Sequence, residues 1–596
     1  MLVVVSNREP YIHERTEDRT IVARPTTGGV AVALDSLMRD RGGTWIAHGA
    51  GSADRDVVDD RDRVMVPPDR PSYALRRIWL TDEEEARYYG GFANEGLWPL
   101  CHLTNVQPVF RANDWTAYQT VNQRFADAIR SELATPSQPV FIQDYHLALV
   151  AGYLRQIVPG ARTALFWHIP WPPVERLRLC PWWRAIVEGL LANDFLAFQV
   201  DRDRRHFMAA ARACGGVAIE PSTVRFAGRL ARVAAVPIGV DYDRITEVAR
   251  DATLGDEMTR LREKLQLSTP IVGVGVDRLD YTKGIPERLA AIERLLESDE
   301  TLRRRLTFVQ VGVPSRSKLE SYAAIEREID AKVASINERF GRTAEHGPIR
   351  YRKRALKLRR LVALYKLADF CIVSSLHDGM NLVAKEFVAA REDERGVLVL
   401  SQLTGAAQEL RDALMINPYD VQGFASAIRR SARIRLSCST GGMSMARWQA
   451  ATSSRGRPTF LATWKASGRG RSAIAAPPRA RFTPRDAAGT IARRSTGALA
   501  SRDRAGCHRA RDSATSRQQP SVAAVRFRRH TVRVQPRPRG GAPGRDTARA
   551  PRKSLGASVL HRRSRHGPAA HRRSCARGRD RARLPRGLSR PRDRQS

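Results

Sequence analysis

Two loops of this chain gather the side chains and backbone donors that an anion needs. The segment DRLDYTKG carries Arg278 and Lys283 five residues apart, with Asp280 between them. It follows the apolar run IVGVGV and opens a helical pattern. A guanidinium gives a forked contact, an ammonium a point charge, and a helix start adds N–H donors, so the grouping suits a diphosphate. The segment SSLHDGMNLVAKEF, Ser374 to Phe387, likewise joins a β-rich run to a helical one. Asn381 fits the cap position, leaving the N–H groups of Leu382, Val383 and Ala384 at the helix start for a ligand. An anion there is favoured by those donors and by the helix dipole. Asp378 and Gly379 precede the cap, and glycine permits close backbone approach. Glu386, about a turn in, can accept bonds from vicinal hydroxyls. Taken singly, each loop also fits solvated surface charge and ordinary helix capping.

Other polar residues collect at equivalent places. Asn7 and Arg8 follow LVVVS, Asp144, Tyr145 and His146 follow VFIQ, His168 follows ALFW, and Arg316 follows FVQVGV. In open α/β sheets, ligands bind beyond the carboxyl ends of the strands. Several residues have a plainer reading. His168 stands between aromatics in FWHIPWP, where a hydrogen-bonded core histidine is the usual outcome. Trp45, Tyr89 and Trp98 fit a core equally well, and Gly28–Gly29 before a helix is a weak phosphate-loop signal. The DRD triplets at 54–56 and 201–203 lie in charge-rich polar segments, unlike metal sites, and no G-x-S-x-G elbow supports serine hydrolysis.

The elements that must carry these loops follow from the hydrophobic pattern. Short β-branched or aromatic runs are read at 2–6, 44–49, 140–143, 164–168, 195–199, 271–276, 308–313 and 369–375. Helices are read between them. In PERLAAIERLLE, Leu289, Ile292, Leu295 and Leu296 share a face, and Pro286 suits the first turn. Strands alternating with helices predict parallel sheets and an α/β class. Two Rossmann-like domains are expected, 1–240 and 241–430, divided near Val236–Ile245.

Composition changes after residue 430. Residues 431–596 hold 41 Lys and Arg against 6 Asp and no Glu, which leaves 1–430 at a net charge of only +4 out of +39. The first 430 residues therefore read as an ordinary globular protein. The Arg/Ala/Pro/Gly/Ser-rich remainder cannot bury a core and is expected to be disordered. One reading makes it a basic tail that binds nucleic acid; the other, favoured by the abrupt change within a helical run, is a slipped reading frame near Arg430. The seven cysteines are scattered singly, without metal-ligand spacing, as suits a reducing cytoplasm. No apolar run has the length of a signal peptide or a membrane span.

Together, SNR at 6–8, the glycines at 28–29, YYGGFANEGLWP, QDYH, WHIPWP, VDRLDYTKGIPER, VPSRS and HDGMNLVAKEFVAA resemble the trehalose-6-phosphate synthases of glycosyltransferase family 20. The resemblance runs from residue 2 to about 430. It implies a GT-B fold, two Rossmann-like domains facing a cleft, and metal-free, cofactor-free transfer of glucose from UDP-glucose to glucose 6-phosphate with retention. By motif, Arg278 and Lys283 would hold the diphosphate, and Leu382, Val383, Ala384, Lys385 and Glu386 the nucleotide sugar, with Glu386 on ribose. Asp378 and His168 would contact the donor glucose, with Gly28 and Gly29 against the donor. His168, Arg278, Lys283 and Asp378 would thus stand nearest the reacting atoms. Arg8, Tyr89, Trp98, Asp144 and Arg316 would form the acceptor site. The implied partners are these two small molecules, with no membrane; a homo-oligomer is compatible with the reading, and nucleic acid enters only through the tail. The chain departs from the family pattern at His377, where Arg is common, at Gln143, where His is usual, and in Glu9–His13. The sister activity, glucosylglycerol-phosphate synthesis from glycerol 3-phosphate, shares the donor motifs and is the alternative. The helix with which the family's second domain braces the first is not legible after Arg430.

Overall fold

The computed structural model describes residues 1–437, apart from 27–28, 318, 342–346 and 394. The expected disordered tail, and the question of a bracing helix, lie from 438 onward outside the described residues. The apolar runs form two sheets within one compact unit.

The first sheet has ten strands. Its parallel centre runs in the order Arg229–Ala235, Phe195–Phe198, Arg162–Trp167, Pro139–Gln143, Leu2–Arg8, Gly43–His48, Tyr73–Ile78. Antiparallel strands close both edges. The chain starts in the middle, at Leu2–Arg8, builds outward on one side and then returns to build the other. The crevice at this switch lies between the ends of Leu2–Arg8 and Pro139–Gln143, where Arg8 and Asp144 sit. The central strands are buried throughout apart from their first residues Pro139 and Arg162, as parallel strands covered on both faces must be.

The second sheet is wholly parallel, in the order Ile349–Arg352, Leu306–Val313, Ile271–Arg278, Phe370–Val373, Val397–Ser401, Leu414–Ile416. Its switch falls between Ile271–Arg278 and Phe370–Val373, so the loops at 279–284 and 374–381 leave from opposite sides of one crevice. All eight strands expected from the pattern are present. The chain crosses between sheets through 236–241, and the helix Tyr242–Arg250 begins with Asp241 capping the Arg244 amide. The helix Val421–Ser437 runs on past Arg430, with Ser431 and Ala432 fully buried, so the compositional change does not coincide with an end of packing.

The lobes exchange core residues. Tyr281 and Tyr322, from the second, pack into the first lobe's cluster. Val200, just after a strand of the first, packs into the second's. Near the first sheet, Arg77 is fully buried and bonds Glu9 Oε2 at 2.8 Å, Asp54 Oδ1 at 2.7 Å and His13 Nδ1 at 2.8 Å. Burial, with the neighbouring Asp54, pushes the Glu9 carboxyl up to about 8. Glu9 and His13 of the divergent run and Asp54 of the first DRD triplet thus belong to an internal polar network beside the hairpin Tyr11–Arg15/Ile21–Pro25.

The second sheet contains a similar buried cation. Arg288, fully buried in the helix Ile285–Ser298, donates to Asp277 Oδ2 at 2.6 Å, Gln310 Oε1 at 2.9 Å and Ser374 Oγ at 3.0 Å. Removing one member of such a cluster strands the other charge in low dielectric. Arg288→Met should therefore cost about 3–5 kcal/mol of stability, seen as a lower urea midpoint. A midpoint at the wild-type value would show that Asp277 does not depend on it.

Candidate active site

On the second lobe, the two switch-point loops are bolted together. Ser374 Oγ donates to the backbone carbonyl of Gly284 at 2.8 Å and lies 3.1 Å from that of Lys283. Gly284 has φ +62°, and a Cβ there would lie 2.2 Å from the Ser374 carbonyl, so only glycine fits. This brings Lys283 Nζ to 2.6 Å from Asp378 Oδ2. Ser375 Oγ and Asn381 Nδ2 also donate to that oxygen, at 3.1 and 3.3 Å. Burial opposes ionisation of Asp378, but the Lys283 ammonium outweighs it and holds the carboxyl well below the usual carboxylate range.

Asn381 caps the helix Leu382–Ala390 from a left-handed backbone (φ 90°), its Oδ1 accepting from Ala384 N at 3.1 Å. The amides of Leu382 and Val383 remain at the helix start, whereas that of Ala384 does not: the cap that makes the helix consumes the donor the sequence assigned to a ligand. Glu386 is half-buried and accepts from Tyr365 Oη at 3.3 Å; burial pushes its carboxyl up to about 7. Lys385 is a second correction. Its ammonium is fully buried, donates to the Ile238 carbonyl at 2.7 Å and pairs with Glu409 at 2.6 Å. Although it adjoins the helix start in sequence, its side chain serves the crossover between lobes instead. Arg278 is half-buried, with its guanidinium 3.8 Å from Asp280 and 5.5 Å from the Trp98 ring.

The first lobe supplies the facing wall. The run Ala86–Leu97 is π-helical, a winding that recurs at functional sites, and it presents Tyr89 and leads into Trp98. Arg8 Nη2 donates to Tyr89 Oη at 3.0 Å. Arg316, in the left-handed region at φ 53°, reaches across from the second lobe. It donates to Tyr145 Oη at 3.2 Å and to Tyr322 Oη, and lies 4.2 Å above the Trp98 ring. Burial would raise the Tyr89 phenol, but the Arg316 and Arg8 guanidiniums outweigh it and pull it down to about 7. Trp98 Nε1 and Arg316 Nε are buried without a hydrogen-bond partner.

Asp144, also left-handed (φ 71°), accepts from the His168 backbone N–H at 3.0 Å; burial raises its carboxyl to about 6. The His168 ring is bonded at both nitrogens, Nε2 to Gln143 Oε1 at 3.0 Å and Nδ1 to Gln199 Nε2 at 3.3 Å, and burial pushes it down to about 3. A Cβ on Gly379 would lie 2.4 Å from the His168 carbonyl, which measures how closely the lobes meet here. His377 is buried, with Nδ1 unpartnered. Gly29 opens the helix Gly29–Arg41, and Gly28 lies outside the described residues.

The structure thus brings Arg8, Tyr89, Trp98, Asp144, His168, Arg278, Lys283, Arg316, Asp378 and the start of the helix Leu382–Ala390 around one interlobe crevice, and removes Lys385 from it. Sequence reasoning missed Gln199, Tyr322, Tyr365 and Arg288. Only Arg288 left a signal: it is a cation on the apolar stripe of PERLAAIERLLE, four residues before Ile292.

The chain is similar to known proteins. The model of glycosyltransferase family 20 matches residues 1–442. The trehalose-6-phosphate synthase of Mycobacterium marinum is 38% identical over 438 residues, covering 72% of this chain and 86% of that protein. That of Mycolicibacterium smegmatis is 39% identical over 438 residues, covering 72% and 84%. Among solved structures, the UDP-forming α,α-trehalose-phosphate synthase of Burkholderia xenovorans in complex with glucose-6-phosphate superposes with a TM-score of 0.65 at 32% identity, covering 78% of this chain and 97% of that one. The Escherichia coli protein bound with UDP-2-fluoro glucose gives 0.64 at 30% identity, covering 76% and 93%. The fold is GT-B, and the chain belongs to glycosyltransferase family 20.

Proposed function

We propose that this enzyme transfers glucose from UDP-glucose to glucose 6-phosphate, with retention, to give trehalose 6-phosphate. The observation that carries the reading is the division of one crevice into two cationic walls. Lys283, Arg278 and a helix start stand on the second lobe, and Arg8, Tyr89, Trp98 and Arg316 stand around the first. Each wall suits one phosphorylated sugar. The relatives support the assignment: one solved structure holds glucose-6-phosphate, another a UDP-fluoroglucose.

In this reading the diphosphate lies on Arg278, Lys283 and the Leu382 and Val383 amides, with ribose on Glu386. Asp378 and His168 face the donor glucose, with Gly28 and Gly29 alongside. As the bond between the sugar and the phosphate breaks, charge builds on the departing diphosphate, and fixed cations stabilise it without reorganising. The acceptor hydroxyl forms the new bond on the same face, and its proton passes to the leaving phosphate oxygen. What supports this route is that Asp378, the carboxylate nearest Lys283, is already held by three donors, and Asp144 by the His168 amide. The proposal includes no metal or cofactor. It places the reaction in the reducing cytoplasm, in keeping with four unpaired described cysteines. Among the described residues no helix is long and apolar enough to cross a membrane.

UDP should be released from UDP-glucose only when glucose 6-phosphate is present, and should persist in excess chelator. Turnover with glycerol 3-phosphate instead would keep the class and replace the acceptor; no turnover with either would refute the reading. Lys283→Ala should lower kcat by about 10²–10³-fold, the usual loss for one charge-stabilising donor. A second outcome concerns pH. With its phenol near 7, Tyr89 becomes anionic above neutrality and competes with a phosphate dianion for the same guanidiniums. The KM for glucose 6-phosphate should therefore rise as pH increases through about 7, and Tyr89→Phe should flatten that rise. An unaltered slope in the variant would remove Tyr89 from the acceptor site.

A further inference from the structure

The strands Arg162–Trp167 and Phe195–Phe198 are adjacent and parallel, so His168 and Gln199, just past their ends, are neighbours. Gln199 also touches the crossover between the lobes: its Oε1 accepts from the Ile238 backbone N–H at 3.0 Å. That backbone is held from the other lobe, because the Ile238 carbonyl accepts from the buried Lys385, which in turn pairs with Glu409.

A backbone N–H can only donate. The Gln199 atom facing Ile238 must therefore be its oxygen, which turns its NH2 toward His168 Nδ1. An NH2 group can only donate, so Nδ1 must accept. The ring proton is then on Nε2, where the Gln143 oxygen receives it at 3.0 Å. The Gln143 NH2 is correspondingly left without a partner. One backbone N–H thus dictates a histidine tautomer through a glutamine. An imidazolium would set a second N–H of the ring against the Gln199 NH2. Burial acts in the same direction, pushing the ring down to about 3.

We propose that Gln199 is a positioning residue for the transfer reaction, holding His168 as the neutral Nε2–H tautomer and tying the ring to the interlobe crossover. The proposal rests on the glucosyl-transfer reading. There it has a chemical purpose: the sugar develops positive charge as the glycosidic bond to phosphate breaks, and an imidazolium beside it would oppose that charge. The other charged or titratable groups facing His168 come from two loops. Asp144 receives its backbone N–H, His146 follows on the same loop, and the loop carrying Asp378 reaches its carbonyl through Gly379.

The test is Gln199→Glu, which keeps an acceptor for the Ile238 N–H and turns a second acceptor toward Nδ1. The ring then gains a proton. At the acid end of the profile kcat should fall by about 100-fold and recover as pH rises, with the KM for UDP-glucose little changed. Gln199→Met, which removes both contacts, should lower kcat without creating that acid limb. Nitrogen-15 spectra of histidine-labelled full-length protein give a readout apart from activity: His168, assigned by its loss in His168→Ala, should show a protonated Nε2 and a bare Nδ1 at neutral pH. An Nδ1–H or doubly protonated ring in the wild type would overturn the proposal, as would a folded Gln199→Glu variant with the wild-type pH profile. Failure of UDP release in the wild type would remove the glucosyl-transfer reading while leaving the tautomer assignment to the spectra.

Discussion

The second lobe's half of the crevice hangs from one buried cation. Arg288 gathers Asp277 at the end of one central strand, Gln310 in the next and Ser374 at the end of the third. Ser374 in turn bonds the carbonyls that frame Lys283 and Gly284. An apolar cluster would fill the same volume with less desolvation cost, since buried ion pairs often fail to stabilise against hydrophobic substitutes. What an apolar cluster lacks is direction. Hydrogen bonds fix the angle at which two loops leave the sheet, and the 2.6 Å approach of Lys283 to Asp378 depends on that angle.

A second constraint is the closeness of the lobes. Tyr281 and Tyr322 lie in one core and Val200 in the other, so separating the lobes exposes apolar surface on both sides. Eight non-glycine residues among those described have positive φ, and three of them, Asp144, Arg316 and Asn381, line this crevice. Each costs about 1–3 kcal/mol and persists only where surrounding structure over-determines it. Here that structure is visible: the His168 amide on Asp144, the tyrosines on Arg316, and the Ala384 amide on Asn381.

The sequence made the central strands plain, because buried parallel strands are short apolar runs with few alternatives. It was weaker at the ends of the parallel run, where Tyr73–Ile78 and Arg229–Ala235 mix arginines with apolar residues; in the first of these, Arg77 is buried because Glu9 and Asp54 neutralise it, a pairing that local sequence does not show. The cations at the strand ends were legible from position alone. Lys385 was misread for an instructive reason. Spacing locates a residue along a helix start but does not say which way a four-carbon stem turns, and this one is drawn inward by Glu409 and a carbonyl. Gln199 was illegible because its role arises from Ile238 and His168, which are separated from it by roughly thirty to forty residues and meet it only in the fold.

The two walls of the crevice are joined through Asp280. Its Oδ1 is committed to the Thr282 amide and hydroxyl, at 3.0 and 2.9 Å. Its Oδ2 faces Arg278 at 3.8 Å and Arg316 at 3.6 Å, too far for hydrogen bonds and close enough for charge to matter. Burial opposes its ionisation, and these cations, with Lys283, overcome it. A single carboxylate therefore serves as counter-ion to both Arg278 and Arg316, with both guanidiniums over the same Trp98 ring. Neither arginine is clamped by it. In the proposed reading, a diphosphate that drew Arg278 away would leave Asp280 to Arg316 more fully, and a phosphate on Arg316 would do the converse. The two walls would then be coupled through a buried carboxylate with one unbonded oxygen between two arginines, a link that a solvated carboxylate would not provide.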